Sequence, residues 1–119
     1  MTVATKEITN LEDIIDSRDV IARYEYIKDD ESPEMFEEII ALKELIEECD
    51  GYAPDWKYGA TLIRATYFAE YAEELAVDIG AISTEHQWPL YCIDWERAAR
   101  ELQMDYTEVT FDSVTYWIR

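Results

Sequence analysis

Histidine is almost absent from this chain: His86 is the single one in 119 residues. Cysteine occurs twice, and Gly and Pro three times each. A Ser or Cys nucleophile needs a histidine base beside it, and His86 falls in a polar loop where simple solvation is the expected state. A zinc centre takes three or four His, Cys or carboxylate ligands. Cys49 and Cys92 belong to no CxxC pattern and no Cys/His cluster, so both read as buried free thiols. Gly51, Gly59 and Gly80 stand too far apart to write GxGxxG or GxxxxGK, which excludes a glycine-rich phosphate loop. The acidic turn DDES (Asp29 to Ser32) lacks the Gly and closing Glu of an EF-hand. No catalytic residue, metal or cofactor is expected, and the protein reads as a non-enzyme.

Positive charge is also scarce. Ten Lys and Arg face 28 Asp and Glu, for a formal net charge of −18. Phosphate binding needs cations, so direct nucleic-acid binding is not expected, nor is an anionic membrane surface. A basic partner is. No apolar run approaches the roughly 18 residues of a membrane span. The opening MTVATKEITNLEDIID has no basic start followed by an apolar stretch, the pattern of a secretory signal. The expected location is cytoplasmic.

What the chain does have is apolar content, at 49%, with four Trp, nine Tyr and three Phe. That is enough to build a core, unlike the composition of disordered chains. Residues 11–30 read as a helix, with Asn10 as N-cap, Asp13 as a weak capping-box partner and Leu11, Ile14, Ile15, Ile21 and Tyr24 near helical spacing. Ser32-Pro33 restarts the chain as a second helix over 33–49. Met35, Ile39, Leu42, Ile46 and Cys49 form a heptad seam there, widened by Phe36, Ile40 and Leu45, and Gly51 stops it. The short connection predicts an antiparallel helical hairpin. Its apolar seam also suits self-association into a homodimer.

Residues 51–59 form a loop and set the boundary between an acidic helical hairpin (1–50) and an α+β subdomain (51–119). Residues 61–64 read as an edge strand or the start of a helix. Phe68, Tyr71, Ala72, Leu75, Ala76 and Ile79 define a helix over 67–79 ending at Gly80. Asp94 caps another, with Trp95, Ala98, Ala99 and Leu102 inward. Residues 107–111 and 114–118 alternate around Asp112-Ser113 as a hairpin of open turn type. The expected fold is α+β: the helical hairpin, two further helices and a C-terminal β-hairpin, with 61–64 as a candidate third strand of a small antiparallel sheet.

The acids are spread along the chain, 17 against 6 bases in residues 1–59 and 11 against 4 in residues 60–119. Glu12, Asp13, Asp16 and Asp19 fall off the apolar stripe of the first helix. Glu34, Glu37, Glu38, Glu44, Glu47 and Glu48 do so in the second, interrupted only by Lys43. Like charges at i,i+3 and i,i+4 repel by a few tenths of a kcal/mol per pair, roughly. Helices that accept this repeatedly fit the imitation of a polyanion, since carboxylates at i,i+4 stand roughly 6 Å apart. Eighteen net charges equal the phosphates of roughly 9 base pairs. The alternative is an acidic interaction or assembly factor whose basic partner has nothing to do with DNA.

YFAEYAEELAVDIGAI (Tyr67 to Ile82), CIDWERAARELQMDY (Cys92 to Tyr106) and VTYWIR (Val114 to Arg119) together resemble the C-terminal part of the ArdA-type antirestriction proteins and related phage proteins. The resemblance covers roughly residues 60–119 and rests on core aromatics and helix caps. It implies a mobile-element protein that mimics duplex DNA and inhibits a host defence nuclease, a restriction enzyme or a CRISPR effector, in the host cytoplasm. It adds Glu70, Glu73 and Glu74, with Asp78, Glu96 and Glu101, as candidate contact residues. Residues 1–59 depart from the family, whose members are longer, and leave the target open.

Overall fold

A four-stranded antiparallel sheet forms the middle layer of the computed structural model, which describes residues 7–51, 53–83, 85 and 87–119. Its strands are β1 (Ile14–Asp16), β2 (Thr61–Arg64), β3 (Thr107–Phe111) and β4 (Val114–Ile118), in the order β1-β2-β4-β3. Helices α1 (Ser17–Ile27), α2 (Pro33–Asp50) and the single turn α3 (Trp56–Gly59) cover one face. Helices α4 (Phe68–Asp78) and α5 (Trp95–Leu102) cover the other. The fold is α+β, as the residue pattern predicts. His86 lies outside the described residues.

Strand alternation builds the two cores. Leu62, Val109, Phe111, Tyr116 and Ile118 point to one face and are buried with Val20, Ile27, Leu42, Leu45 and Cys49 of the helical hairpin. Ile63 and Trp117 point to the other, where Phe68, Ala72 and Ala99 complete a smaller cluster. Phe68 is its centre, with edge-on contacts to Tyr106 at 5.2 Å, Tyr71 at 5.5 Å and Trp117 at 6.3 Å between ring centroids. Within the stretches 67–82, 92–106 and 114–119, Phe68, Ala72, Ala99, Tyr116 and Ile118 are buried. The larger cluster joins residues on both sides of position 51, the boundary drawn from sequence.

The sheet has a strand that the periodicity hides. The stretch 11–30 is not one helix: Ile14 and Ile15 pair with Ile63 and Leu62, and α1 begins only at Ser17. β-Branched side chains favour the strand, and alternation buries Ile15 while Ile14 stays 45% exposed. Asp16, not Asn10, is the N-cap, accepting from the Arg18 N–H at 2.8 Å. Ser17 then locks the corner from inside. Its hydroxyl donates to the Trp56 carbonyl and accepts from the Ala60 N–H, both at 2.7 Å, in full burial.

The remaining helix ends follow the sequence more closely. Asp94 caps α5 by accepting from Arg97 N–H at 3.1 Å. Ser32 precedes α2 without a side-chain cap bond; its own N–H donates to Asp30 Oδ1 at 2.8 Å. The C-terminal hairpin closes through Asp112 (φ 48°) and Ser113 (φ 68°), both left-handed, as a type I′ turn requires. Cys49 is buried but Cys92 is exposed, which corrects the expectation of two buried thiols. The single turn at Leu90–Cys92 and the exposed Trp88 and Tyr91 leave the aromatic run around Cys92 outside either core.

Candidate acidic interaction surface

Helix α2 runs beside β3, and its core residues Leu42, Leu45 and Cys49 are fully buried. At 100° per residue, positions 34, 37, 41, 44 and 48 then fall together on one flank of the helix. That flank stands over the C-terminal hairpin and forms two adjoining troughs. The first, about 500 Å³, is lined by Glu37, Ile40, Ala41, Glu44, Glu48, Thr110, Asp112 and Ser113. The second, about 400 Å³, shares Glu37, Ala41 and Asp112 and adds Glu34, Glu38, Phe111 and the 7–11 segment, with Glu7 at its start. Seven carboxylates border them and no Lys or Arg does. Ile40, Ala41, Ile8 and Phe111 contribute apolar lining beside the acids.

Five of the acids predicted as contact residues meet here: Glu34, Glu37, Glu38, Glu44 and Glu48. Glu7 and Asp112 join them although no spacing in the sequence links them to α2. The strand register brings them in, and Asn10 Nδ2 pins the 7–11 segment by donating to the Asp112 carbonyl at 3.0 Å. The sequence shows position 112 as the turn of a hairpin, not as part of an acidic array.

Glu38 differs from the others. It accepts from Arg23 Nε at 2.7 Å and Nη2 at 3.0 Å, with the two side chains 10% and 15% exposed. The bond to Glu38 raises the Arg23 pKa. This pair clamps α1 to α2 and cancels one of the trough's charges.

The other predicted acids are dispersed. Asp16 is tied to Arg18, whose guanidinium holds the carboxyl below its usual range. Asp19 lies exposed in the first turn of α1, and Glu47 is exposed on α2 outside the trough lining. Glu12 and Asp13 precede β1 instead of lying on a helix; their carbonyls accept from Tyr116 Oη at 2.6 Å and Arg64 N–H at 2.8 Å. Glu70, Glu73 and Glu74 belong to α4, on the opposite face of the sheet. Glu74 accepts from Tyr67 Oη at 2.6 Å, a bond that pushes the phenol up to about 12.

Burial pushes the Cys49 thiol up to about 12, far from the thiolate a nucleophile needs. Among the described residues no group of three or more His, Cys, Asp or Glu is placed to hold a metal ion. No helix among them is long and apolar enough to cross a membrane. What the troughs can do is attract cations along a concave, partly apolar surface. No protein-family model, curated protein or solved structure matches the chain.

Proposed function

We propose that this protein is an acidic inhibitor of a host defence nuclease, carried by a phage or mobile element, and that it acts as a DNA mimic in a basic DNA-binding groove. The observation that carries the reading is the row of carboxylates along the α2 flank, unrelieved by any cation in the trough lining. They stand on a helix fixed to a sheet, so the charges are held in place before binding, which lowers the ordering cost. A net charge of −18 steers such a surface toward a basic groove and makes the encounter salt-dependent. The resemblance of residues 60–119 to the ArdA-type proteins points the same way.

The test is binding to purified restriction enzymes and CRISPR effector complexes, with and without duplex DNA. The expected result is a complex with one of them that DNA displaces and that loosens steeply as salt rises. A partner retained equally with and without excess DNA would remove DNA mimicry from the account. The concavity of the troughs favours a second reading, an acidic interaction or assembly factor that receives a protruding basic segment, because a duplex presents its phosphates on a convex surface.

A further inference from the structure

Among the described residues, strand β3 ends the sheet order β1-β2-β4-β3 and pairs with β4 on one side only. In a hairpin with a two-residue turn, the closing pair is hydrogen-bonded and pairs alternate from there. The closing pair here is Phe111↔Val114. Phe111, Val109 and Thr107 therefore bond to β4, while the backbone N–H and C=O of Glu108 and Thr110 turn away from it. The open edge meets the acidic wall directly: Thr110 lines the same 500 Å³ trough as Glu37, Ile40, Glu44 and Glu48. An open strand edge is a template for another strand, and the wall beside this one selects its charge.

We propose that β3 receives an extended segment of a basic partner as a fifth strand, with Lys or Arg side chains at alternate positions reaching Glu37, Glu44, Glu48 and Asp112. The dimensions agree. Five strand residues cover about 17 Å, and the helical rise from Glu37 to Glu48 is about 16 Å. Successive side chains of a strand point to opposite sides, so alternate cations would face the α2 wall while the residues between them point to the other side of the sheet. A second copy of this chain is a poor occupant, since its β3 would bring Glu108 and another −18 of charge. The inference rests on the reading that the partner is basic, but not on mimicry of DNA.

The experiment uses the full chain and a fluorescent ten-residue peptide of alternating Arg and Val. A second peptide of the same sequence is N-methylated at alternate residues, which blocks one pairing edge and keeps every charge. Anisotropy is expected to show the plain peptide binding at least tenfold more tightly. Thr110→Pro is expected to weaken the plain peptide by a similar factor, because Pro removes an edge N–H that no strand of this sheet uses. Glu44→Gln with Glu48→Gln is expected to weaken both peptides and flatten the salt dependence. If Thr110→Pro unfolds the chain, the two peptides against the unaltered protein decide the matter. Equal affinity for them, still sensitive to the Glu variants, overturns strand addition and leaves a basic partner standing. Binding of neither peptide at low salt overturns both. A dimer that Thr110→Pro dissociates would overturn the proposal in favour of a second copy.

Discussion

Glu38 and Glu44 belong to the same helix and carry the same charge, yet their removal should have opposite consequences. Glu38 is held in a two-bond pair with Arg23, both side chains being at least 85% buried by their 10% and 15% exposure. Opposite unit charges about 4 Å apart attract by about 4 kcal/mol at an effective dielectric constant near 20. Removing one member of a fully buried pair costs about 3–5 kcal/mol, because the other is left uncompensated. Residual exposure at this site brings the expected cost of Glu38→Gln to about 2–3 kcal/mol. In a domain of this size that lowers the melting midpoint by roughly 10 °C. Glu44→Gln removes an exposed carboxylate among other carboxylates, so its expected effect on stability is nil or slightly favourable. Urea is the denaturant to use, since guanidinium would screen the charges; far-UV circular dichroism and Trp fluorescence report the transition. Binding to a basic partner should rank the variants the other way, with Glu44→Gln the weaker binder and Glu38→Gln close to unaltered at temperatures where it is folded. Equal stability of the two variants would refute the assignment of Glu38 to the frame. Arg23→Met combined with Glu38→Leu should recover much of the lost stability, as apolar replacement of a buried pair often does.

Ser17→Ala should cost about 2–4 kcal/mol in urea denaturation, because the Trp56 carbonyl and the Ala60 N–H lose a buried partner together. Ser113→Gly should raise stability by about 1 kcal/mol, since glycine adopts the left-handed φ of 68° without the Cβ penalty; an unchanged midpoint would count against strain at that turn. Burial pushes the Tyr116 phenol from its ordinary 10 up to about 12. Its contribution is fully present below pH 10 and is lost as pH rises to 12, because the unfolded chain ionises first, by up to about 2–3 kcal/mol. Tyr116→Phe should flatten this alkaline fall, though it also removes the hydrogen bond to the Glu12 carbonyl.

The sequence disclosed the helices whose apolar residues recur with a clean period and whose ends carry strong punctuation. Ser32-Pro33 before α2 and Asp94 before α5 are of this kind. The C-terminal hairpin was legible from alternation; Thr61–Arg64 read as an edge strand or the start of a helix, but it is an interior strand paired with β1 and β4. β1 was not, because Leu11, Ile14 and Ile15 stand at the helical offsets of three and four, and only pairing with β2 overrides that spacing. Spacing alone placed the acids of α2 off its apolar stripe, and it groups Glu34, Glu37, Glu44 and Glu48 on one flank but not Glu38 and Glu47. That Glu38 is clamped by Arg23, and that Glu7 and Asp112 close the troughs, depends on tertiary register. No local pattern encodes contacts between residues 105 positions apart.

The register that joins Glu7 to Asp112 through Asn10 ties recognition to the completion of folding. An unfinished or nicked chain carries nearly the same carboxylates, and diffuse attraction to a basic surface survives in it. The concave surface does not, since its walls come from the beginning, the middle and the end of the described chain. Synthesis must pass Ser113 before the last wall exists. Selectivity should therefore appear in one step with native structure, while bulk charge accumulates residue by residue.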